Sequence, residues 1–371
     1  MQEVGHRQHA LQGRLRWLEG QDGGDDETMK NHQTANKKRE VGLDLIKILA
    51  CLGVVALHTI YPGKSCINRI ITLFATTSIP LFFMVSGYLM FRRKTFDYKY
   101  AIKKIIRILS VCLAWEFLHA VAYSLYYQQP RNFLSSYVLD FFQKGLFYHF
   151  WFMGALILVY LVMPLLYKLA KKTQKGYAGI LAALVVICAG IDLASIIVKR
   201  QFVLDIPQNL RCWTWLLYAT AGGYVACEGN LVKRYDALAE GHTKVFLTLL
   251  LLLIASAWQF LVGIKVFDRI VIEAFYGSFP VLLATTSIFL VCRDINLTKQ
   301  NTKRVTYLSE ATMGIYIMHP FVLAVLNKFM PAFTQSGALL NVLFWILTVV
   351  ICGTGTAICK KIPGLKHLLQ L

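Results

Sequence analysis

Apolar runs of about twenty residues alternate with short polar connections from residue 43 to the end of the chain. A helix needs about twenty apolar residues to cross the hydrocarbon core of a bilayer. The pattern therefore predicts an all-α fold, a polytopic membrane helical bundle of about ten transmembrane helices. The predicted segments are 43–61, 69–90, 105–126, 147–167, 178–198, 211–228, 244–263, 274–292, 311–327 and 338–358.

The charged residues of the connections predict the orientation of this bundle. Connections 91–107, 168–175, 229–244 and 293–304 and the C-terminal tail carry about twice the Lys and Arg of the remaining connections. Because positively charged loops stay on the cytoplasmic side, both termini are expected in the cytoplasm. The first helix then runs outward.

The sequence predicts one membrane domain with a polar tail on each side. Residues 1–40 are polar and lack an apolar signal-peptide core, so we expect a disordered cytoplasmic tail. Met29 begins a short basic segment that leads into the first helix. This suggests Met29 as an alternative first residue of the chain. The membrane domain is expected at 41–360, followed by a short cytoplasmic tail at 361–371.

Composition agrees with a membrane protein and excludes other classes. Hydrophobic residues make up 56% of the 371 residues, charged residues 16%, and mean hydropathy is +0.52. The net charge of +19 resides in short loops, where it favours anionic lipid headgroups over nucleic acid. The nine cysteines are scattered without C-x-x-C spacing, so no metal site is expected.

The first predicted helix carries three polar side chains, Asp44, Lys47 and His58, along one face. The step from Lys47 to His58 covers roughly three helical turns and about 16 Å. An ionisable side chain at membrane depth costs about 3 kcal/mol and usually faces a bundle interior or a water-filled cavity. An alternative places Asp44 and Lys47 at the membrane surface without a chemical role. His58 has no long stem to reach the surface, so we expect it to be functional.

Further polar residues mark the predicted helices at unusual positions. They are Ser86, Tyr88, Arg92 and Arg93 at the inner end of the second segment, Glu116 within the third, His149 and Trp151 at the start of the fourth, Arg211 at the start of the sixth, and Tyr316 and His319 within the ninth. His58 and His149 are predicted at similar depth near the outer face, and the sequence leaves open whether they meet.

Each of these residues also has a purely structural interpretation. Trp151, Trp213 and Trp215 have the positions of an interfacial aromatic belt, and Arg92 and Arg93 those of topology determinants. His319 precedes Pro320, where a histidine can bind a carbonyl freed by the proline. Glu116 needs a partner or a proton at its depth.

Several motifs together resemble the membrane proteins of acyltransferase family three. They are Asp44-x-x-Lys47 followed by His58, the stretches 80–88 and 148–164, and the stretch 313–320. The resemblance covers residues 43 to about 358, is nearest to the branch that O-acetylates bacterial surface glycans, and extends to the membrane half of serine racemases.

The resemblance implies transfer of an acyl group, usually acetyl from acetyl-CoA, to a hydroxyl of a glycan or lipid-linked sugar. In that family an arginine, ten further residues and a histidine form the functional signature. His58 matches this histidine and is expected to be catalytic, whereas Lys47 replaces the arginine and lacks its planar fork. The expected location is the bacterial cell membrane, with acyl-CoA, the glycan acceptor and lipids as partners and no nucleic acid.

The chemistry of the residues agrees with acyl transfer. A neutral histidine is suited to take the proton of an attacking hydroxyl near pH 7, or to carry the acyl group itself. The expected roles are catalytic for His58, Glu116 and His149, donor-binding for Asp44, Lys47, Arg92 and Arg93, and substrate-binding for Ser86, Tyr88, Trp151, Arg211, Tyr316 and His319.

Two other functional classes share these sequence features. A secondary transporter of a small metabolite or sugar also has many helices and buried charges. A non-catalytic membrane partner in glycan assembly is the third alternative. The oligomeric state and the acceptor are not encoded in any motif.

Overall fold

The computed structural model describes residues 39–61, 65–130, 132–238, 240–330 and 337–369. All regular secondary structure in these residues is helical. The predicted tail at 1–40 lies almost wholly outside the described residues. The α-helices are α1 Val41–Thr59, α2 Cys66–Ala75, α3 Ser78–Phe91, α4 Tyr98–Tyr127, α5 Phe133–Asp140, α6 Trp151–Lys172, α7 Gln174–Val198, α8 Cys212–Ala226, α9 Asn230–Leu238, α10 Gly241–Phe267, α11 Phe279–Arg293, α12 Lys299–Ser309, α13 Thr312–Phe329, α14 Ala338–Cys359 and α15 Leu365–Leu368.

The all-helical membrane fold is confirmed, and a helix lies at each of the ten predicted segments. Within the described residues, 8 helical stretches are long and apolar enough to cross a membrane. Helices α8 and α11 have 15 residues each and are about 22 Å long, because adjoining parts of their predicted segments form short turns. The count of ten spans and the orientation of the termini remain predictions.

Helices α1, α3 and α8 form the centre of the bundle. Helix α3 packs on α8 at close range, because Gly87 and Gly222 leave no side chain between the two backbones. Helix α1 lies between α3 on one side and α12, α13 and α14 on the other. Polar side chains on α1 are therefore surrounded by protein on several sides.

Helices α4, α7, α10 and α14 form much of the periphery. They expose many large apolar side chains, including Leu125, Val186, Phe246 and Val350. Such a surface suits contact with lipid tails and does not suit water. The polar residues of α1 and α13 thus lie in the interior of a bundle with an apolar exterior.

Candidate active site

Three histidines from distant parts of the chain meet in the bundle, and we call His58, His149 and His319 the histidine cluster. The rings of His58 and His319 stack, with centroids 5.2 Å apart and an interplanar angle of 29°. The ring of His149 approaches that of His319 edge-on, with centroids 5.1 Å apart. The structure thus brings together two predicted catalytic histidines and one predicted substrate-binding histidine.

Each histidine of the cluster is positioned by a different element. His58 lies in the last turn of α1, and His149 lies in the 3-10 turn Tyr148–Phe150 that precedes α6. His319 lies in the middle of α13, next to Pro320. His58 is partly exposed, whereas His149 and His319 are 3% and 0% exposed. His58 is therefore the most exposed member of the cluster.

The ring of His319 has a defined tautomer. Its Nδ1 lies 2.7 Å from the carbonyl oxygen of Tyr316. A carbonyl oxygen only accepts hydrogen bonds, so Nδ1 carries the hydrogen and Nε2 of the neutral ring has none. This is the bond to a proline-freed carbonyl that the sequence suggested, since the missing N–H of Pro320 leaves the Tyr316 carbonyl without its helical partner.

Two tyrosines hold the histidine cluster. The Tyr148 hydroxyl lies 3.3 Å from Nδ1 of His58, and either atom can supply the hydrogen. The Tyr316 hydroxyl donates to the His149 carbonyl oxygen at 2.6 Å and so fixes the turn before α6 on α13. The sequence pattern indicated Tyr316 but not Tyr148, although Tyr148 directly precedes His149.

Hydrogen-bonding capacity in the cluster is left unused. Both ring nitrogens of His149 and Nε2 of His319 are buried and have no hydrogen-bond partner within the described part of the chain. A buried polar atom without a partner costs about 1–3 kcal/mol. These atoms are what the cluster offers to a bound polar group. Among the described residues, no group of three His, Cys, Asp or Glu side chains has the geometry of a metal site.

Glu116 lies behind the cluster and outside it. It is fully buried on α4, and its Oε2 lies 3.3 Å from Nδ1 of His119. The ring of Phe147 lies 5.6 Å from the ring of His119 and 5.8 Å from that of His149. The contacts therefore lead from Glu116 through His119 and Phe147 to His149.

Asp44 and Lys47 lie at the opposite end of α1 from His58. Asp44 is 2% exposed, and its Oδ1 accepts a hydrogen bond from the Ser309 hydroxyl at 2.8 Å. The ammonium of Lys47 lies 3.4 Å from the same oxygen, and the Lys47 side chain is 31% exposed. The interpretation of Asp44 as a surface side chain is wrong, because Asp44 is buried and joins α1 to α12.

A polar cleft of about 460 Å³ opens at the same end of the bundle. Tyr88, Arg92, Lys233, Asp236 and Arg293 line it. The start of α1 adjoins this cleft, because Gly42 packs on the backbone of Cys292 and Arg293. The predicted donor-binding residues Asp44, Lys47 and Arg92 therefore lie at one end of the molecule, whichever role they have.

The other predicted site residues make mainly internal contacts. The guanidinium of Arg93 lies 3.8 Å from the centre of the Tyr100 ring. The Ser86 hydroxyl donates to the Phe82 carbonyl within α3 at 2.8 Å. Arg211 donates to the Ile206 and Glu273 carbonyls at 3.0 and 2.9 Å and so joins two loops.

Trp151 and Trp215 are packed inside the bundle. They are 6% and 0% exposed, and their ring centroids are 5.2 Å apart. The ring of Phe83 stacks on the other side of Trp215 at 4.7 Å. An interfacial belt for these two tryptophans is therefore the wrong interpretation, since protein covers them.

Together, the apolar exterior and the buried histidine cluster define a multi-pass membrane protein with an internal site for polar chemistry. The chain belongs to acyltransferase family 3, whose family model, described as "Acyltransferase domain", matches residues 40–359.

Two relatives from Enterococcus faecalis both carry the name "Amino-acid racemase". One is 26% identical in an alignment of 361 residues that covers 90% of this chain and 47% of that protein. The other is 30% identical in an alignment of 140 residues that covers 35% of this chain and 19% of that protein. The chain thus spans about half the length of the first relative. No solved structure matches the chain.

Proposed function

We propose that the protein is a membrane-bound O-acyltransferase of the cell membrane, which moves an acyl group, most often acetyl, from acyl-CoA to a hydroxyl of a glycan or lipid-linked sugar. The observation that carries this proposal is the histidine cluster, a buried set of neutral bases and donors at one end of α1 in a chain of the acyltransferase family.

In the proposed reaction, His58 is the general base. The acceptor hydroxyl gives its proton to His58 while its oxygen attacks the thioester carbonyl carbon. The tetrahedral intermediate then collapses with cleavage of the carbon–sulfur bond, and the departing CoA thiolate takes the proton back from His58. His58 suits this role because it is the partly exposed member of the cluster and its Nδ1 is held by Tyr148. Acyl transfer through a covalent acyl-histidine at the same residue uses the same atoms.

The donor is proposed to enter at the other end of α1. The nucleotide of acyl-CoA is strongly anionic, and Lys47, Arg92, Lys233 and Arg293 supply cations there. The length of α1 between Lys47 and His58, about 16 Å, is then the distance that the pantetheine arm must cover. The acyl group would reach the cluster while the nucleotide stays at the basic end.

The test is acetyl-CoA hydrolysis and transfer by purified protein in detergent, wild type against His58→Ala. We expect release of free CoA by the wild type and a loss of at least about a hundredfold in His58→Ala. The matched control is His242→Ala, which removes an exposed histidine at the start of α10 and should leave the rate unchanged. Equal rates in wild type and His58→Ala, with both proteins folded, would refute the proposal.

A second candidate function rests on the relatives. The name "Amino-acid racemase" belongs to a protein of which this chain matches 47%. A transporter that carries a small metabolite such as an amino acid across the membrane would use the same buried polar residues. Uptake of labelled amino acid into proteoliposomes without any CoA release would favour transport over acyl transfer.

A further inference from the structure

The pairing of Pro320 with His319 has a chemical consequence beyond the shape of α13. In an unbroken helix, the amide of residue 320 would donate to the carbonyl of Tyr316. Proline has no N–H, and Nδ1 of His319 takes over this carbonyl at 2.7 Å. The hydrogen of the imidazole is thereby held on Nδ1.

The other ring nitrogen of His319, Nε2, is a buried hydrogen-bond acceptor. Nε2 has no partner in the described part of the chain, and the residue is 0% exposed. Its neighbours are the stacked ring of His58 and the ring of His149. An acceptor at this position lies beside the base and needs a donor from outside the protein.

A purely structural role of His319 does not account for this arrangement. An asparagine amide reaches about as far as Nδ1 of a histidine, so it would satisfy the Tyr316 carbonyl equally well. It would do so without leaving a buried ring nitrogen, for which an unpaired acceptor costs about 1–3 kcal/mol. The free-energy cost of the unpaired Nε2 therefore indicates a ligand that donates a hydrogen bond to it.

We propose that Nε2 of His319 determines acceptor specificity by taking the hydrogen of a second hydroxyl group, next to the hydroxyl that loses its proton to His58. One hydroxyl hydrogen cannot serve both rings, whereas two neighbouring hydroxyls can each face one of two stacked imidazoles. The ligand class is a vicinal diol. The proposal rests on the proposed acyl transfer for the identity of the first hydroxyl.

A pair of ring alcohols tests this proposal. With acetyl-CoA as donor, we expect the wild type to favour cis-1,2-cyclohexanediol over cyclohexanol by tenfold or more in kcat/KM, because a buried acceptor discriminates against a ligand that leaves it unpaired. His319→Asn keeps a donor for the Tyr316 carbonyl and lacks Nε2. It should lose this preference, so that its kcat/KM for the diol falls to within about threefold of its kcat/KM for cyclohexanol.

A second variant acts on the tautomer without touching the ring. Pro320→Ala restores an N–H for the Tyr316 carbonyl and so releases Nδ1 of His319. We expect the ¹⁵N resonances of His319 to show one tautomer in wild type and a mixture in Pro320→Ala, together with a weaker diol preference. Pro164→Ala is the matched control, because Pro164 lies inside α6 and follows Met163, which has no ring nitrogen.

The outcomes separate the two proposals. Absence of His58-dependent acetyl-CoA hydrolysis would refute the acyltransferase function itself. Hydrolysis without acetylation of the diol, or an equal diol preference in wild type and His319→Asn, would overturn the role of His319 alone. Hydrogen on Nε2 in the wild-type spectrum would overturn it independently of any activity.

Discussion

At the scale of single residues, the site depends on which atom of each histidine is engaged. Nδ1 of His58 faces Tyr148, Nδ1 of His319 faces a carbonyl, and His149 is held through its carbonyl and through ring contacts. Nδ1 is thus engaged in His58 and His319, whereas neither ring nitrogen of His149 has a hydrogen-bond partner among the described residues. This is how one buried cluster can hold a base and hydrogen-bonding groups at once.

Removal of the Tyr148 hydroxyl tests its control of His58. In Tyr148→Phe we expect kcat for acetyl-CoA hydrolysis to fall about tenfold with little change in KM, because the orientation of the base is lost and the donor site is untouched. The pH profile of kcat should shift as well, since the phenol biases the tautomer of His58. Tyr126→Phe, at an exposed position, is the control. An unchanged profile and rate would assign Tyr148 to packing.

Replacement of Lys47 tests the proposed donor end. Lys47→Arg adds a planar fork for phosphate, so KM for acetyl-CoA should fall several-fold, whereas Lys47→Met should raise it. Initial rates over a range of acetyl-CoA concentrations measure both. The same KM in Lys47→Met as in wild type would move the donor site away from α1.

At the scale of elements, helix α9 is held to its neighbours by a set of ion pairs. Asp236 on α9 binds Lys244 on α10 at 2.8 Å and Arg293 on α11 at 2.9 Å. Burial alone raises the pKa of the Asp236 carboxyl, but hydrogen bonds from Lys244 and Arg293 outweigh it and hold that pKa below its usual range. The ion pairs therefore join α9 to α10 and α11 beside the cleft that Arg92 lines.

Asp236→Asn should lower the thermal stability of the bundle slightly. The Asp236 side chain is 35% exposed, so solvent screens the pairs and their contribution is about 1 kcal/mol or less. We expect a fall in Tm of about 2–3 °C at pH 7 in a thiol-reactive dye assay.

The pH dependence of this effect follows from the lowered pKa of Asp236. The carboxyl adds stability fully above its unfolded-state pKa of about 3.9 and loses it as the pH falls through the lower folded-state pKa. The difference in Tm between wild type and Asp236→Asn should therefore decrease below about pH 4. Asp205→Asn, which breaks an exposed pair with Arg200, is the control and should leave Tm unchanged. A larger fall in Tm in Asp205→Asn than in Asp236→Asn would contradict the stabilising role of the Asp236 ion pairs.

Sequence pattern predicted the elements better than their contacts. Long apolar runs indicate helices, because a chain segment inside the bilayer must pair its own backbone N–H and C=O groups, and a helix does so. The same pattern overestimated the lengths of α8, which ends in a turn after Ala226, and of α11, which a 3-10 turn precedes. Trp151 and Trp215 lie where an interfacial tryptophan would, and only the packing of Trp215 against Phe83 and Trp151 reveals that they are buried.

The site could be predicted one residue at a time but not as a cluster. His58 stood out because an imidazole has no stem to reach the membrane surface. Its contact with His319 joins helices that are 261 positions apart, and no local pattern encodes such a pairing. Tyr148 was missed because a tyrosine at the start of an apolar run is ordinary at a membrane surface.

At the scale of the whole molecule, the burial of α8 has a consequence for biosynthesis. The helix packs mainly on α3, α6 and α7, all of which precede it in the chain, and it contacts Tyr276 through Trp215 and Tyr218. With 15 residues and hardly any surface for lipid, it gains little from entering the membrane alone. When α8 leaves the ribosome, the three helices on which it mainly packs have already been synthesised. The order of synthesis is thus also the order in which the centre of the bundle can be assembled.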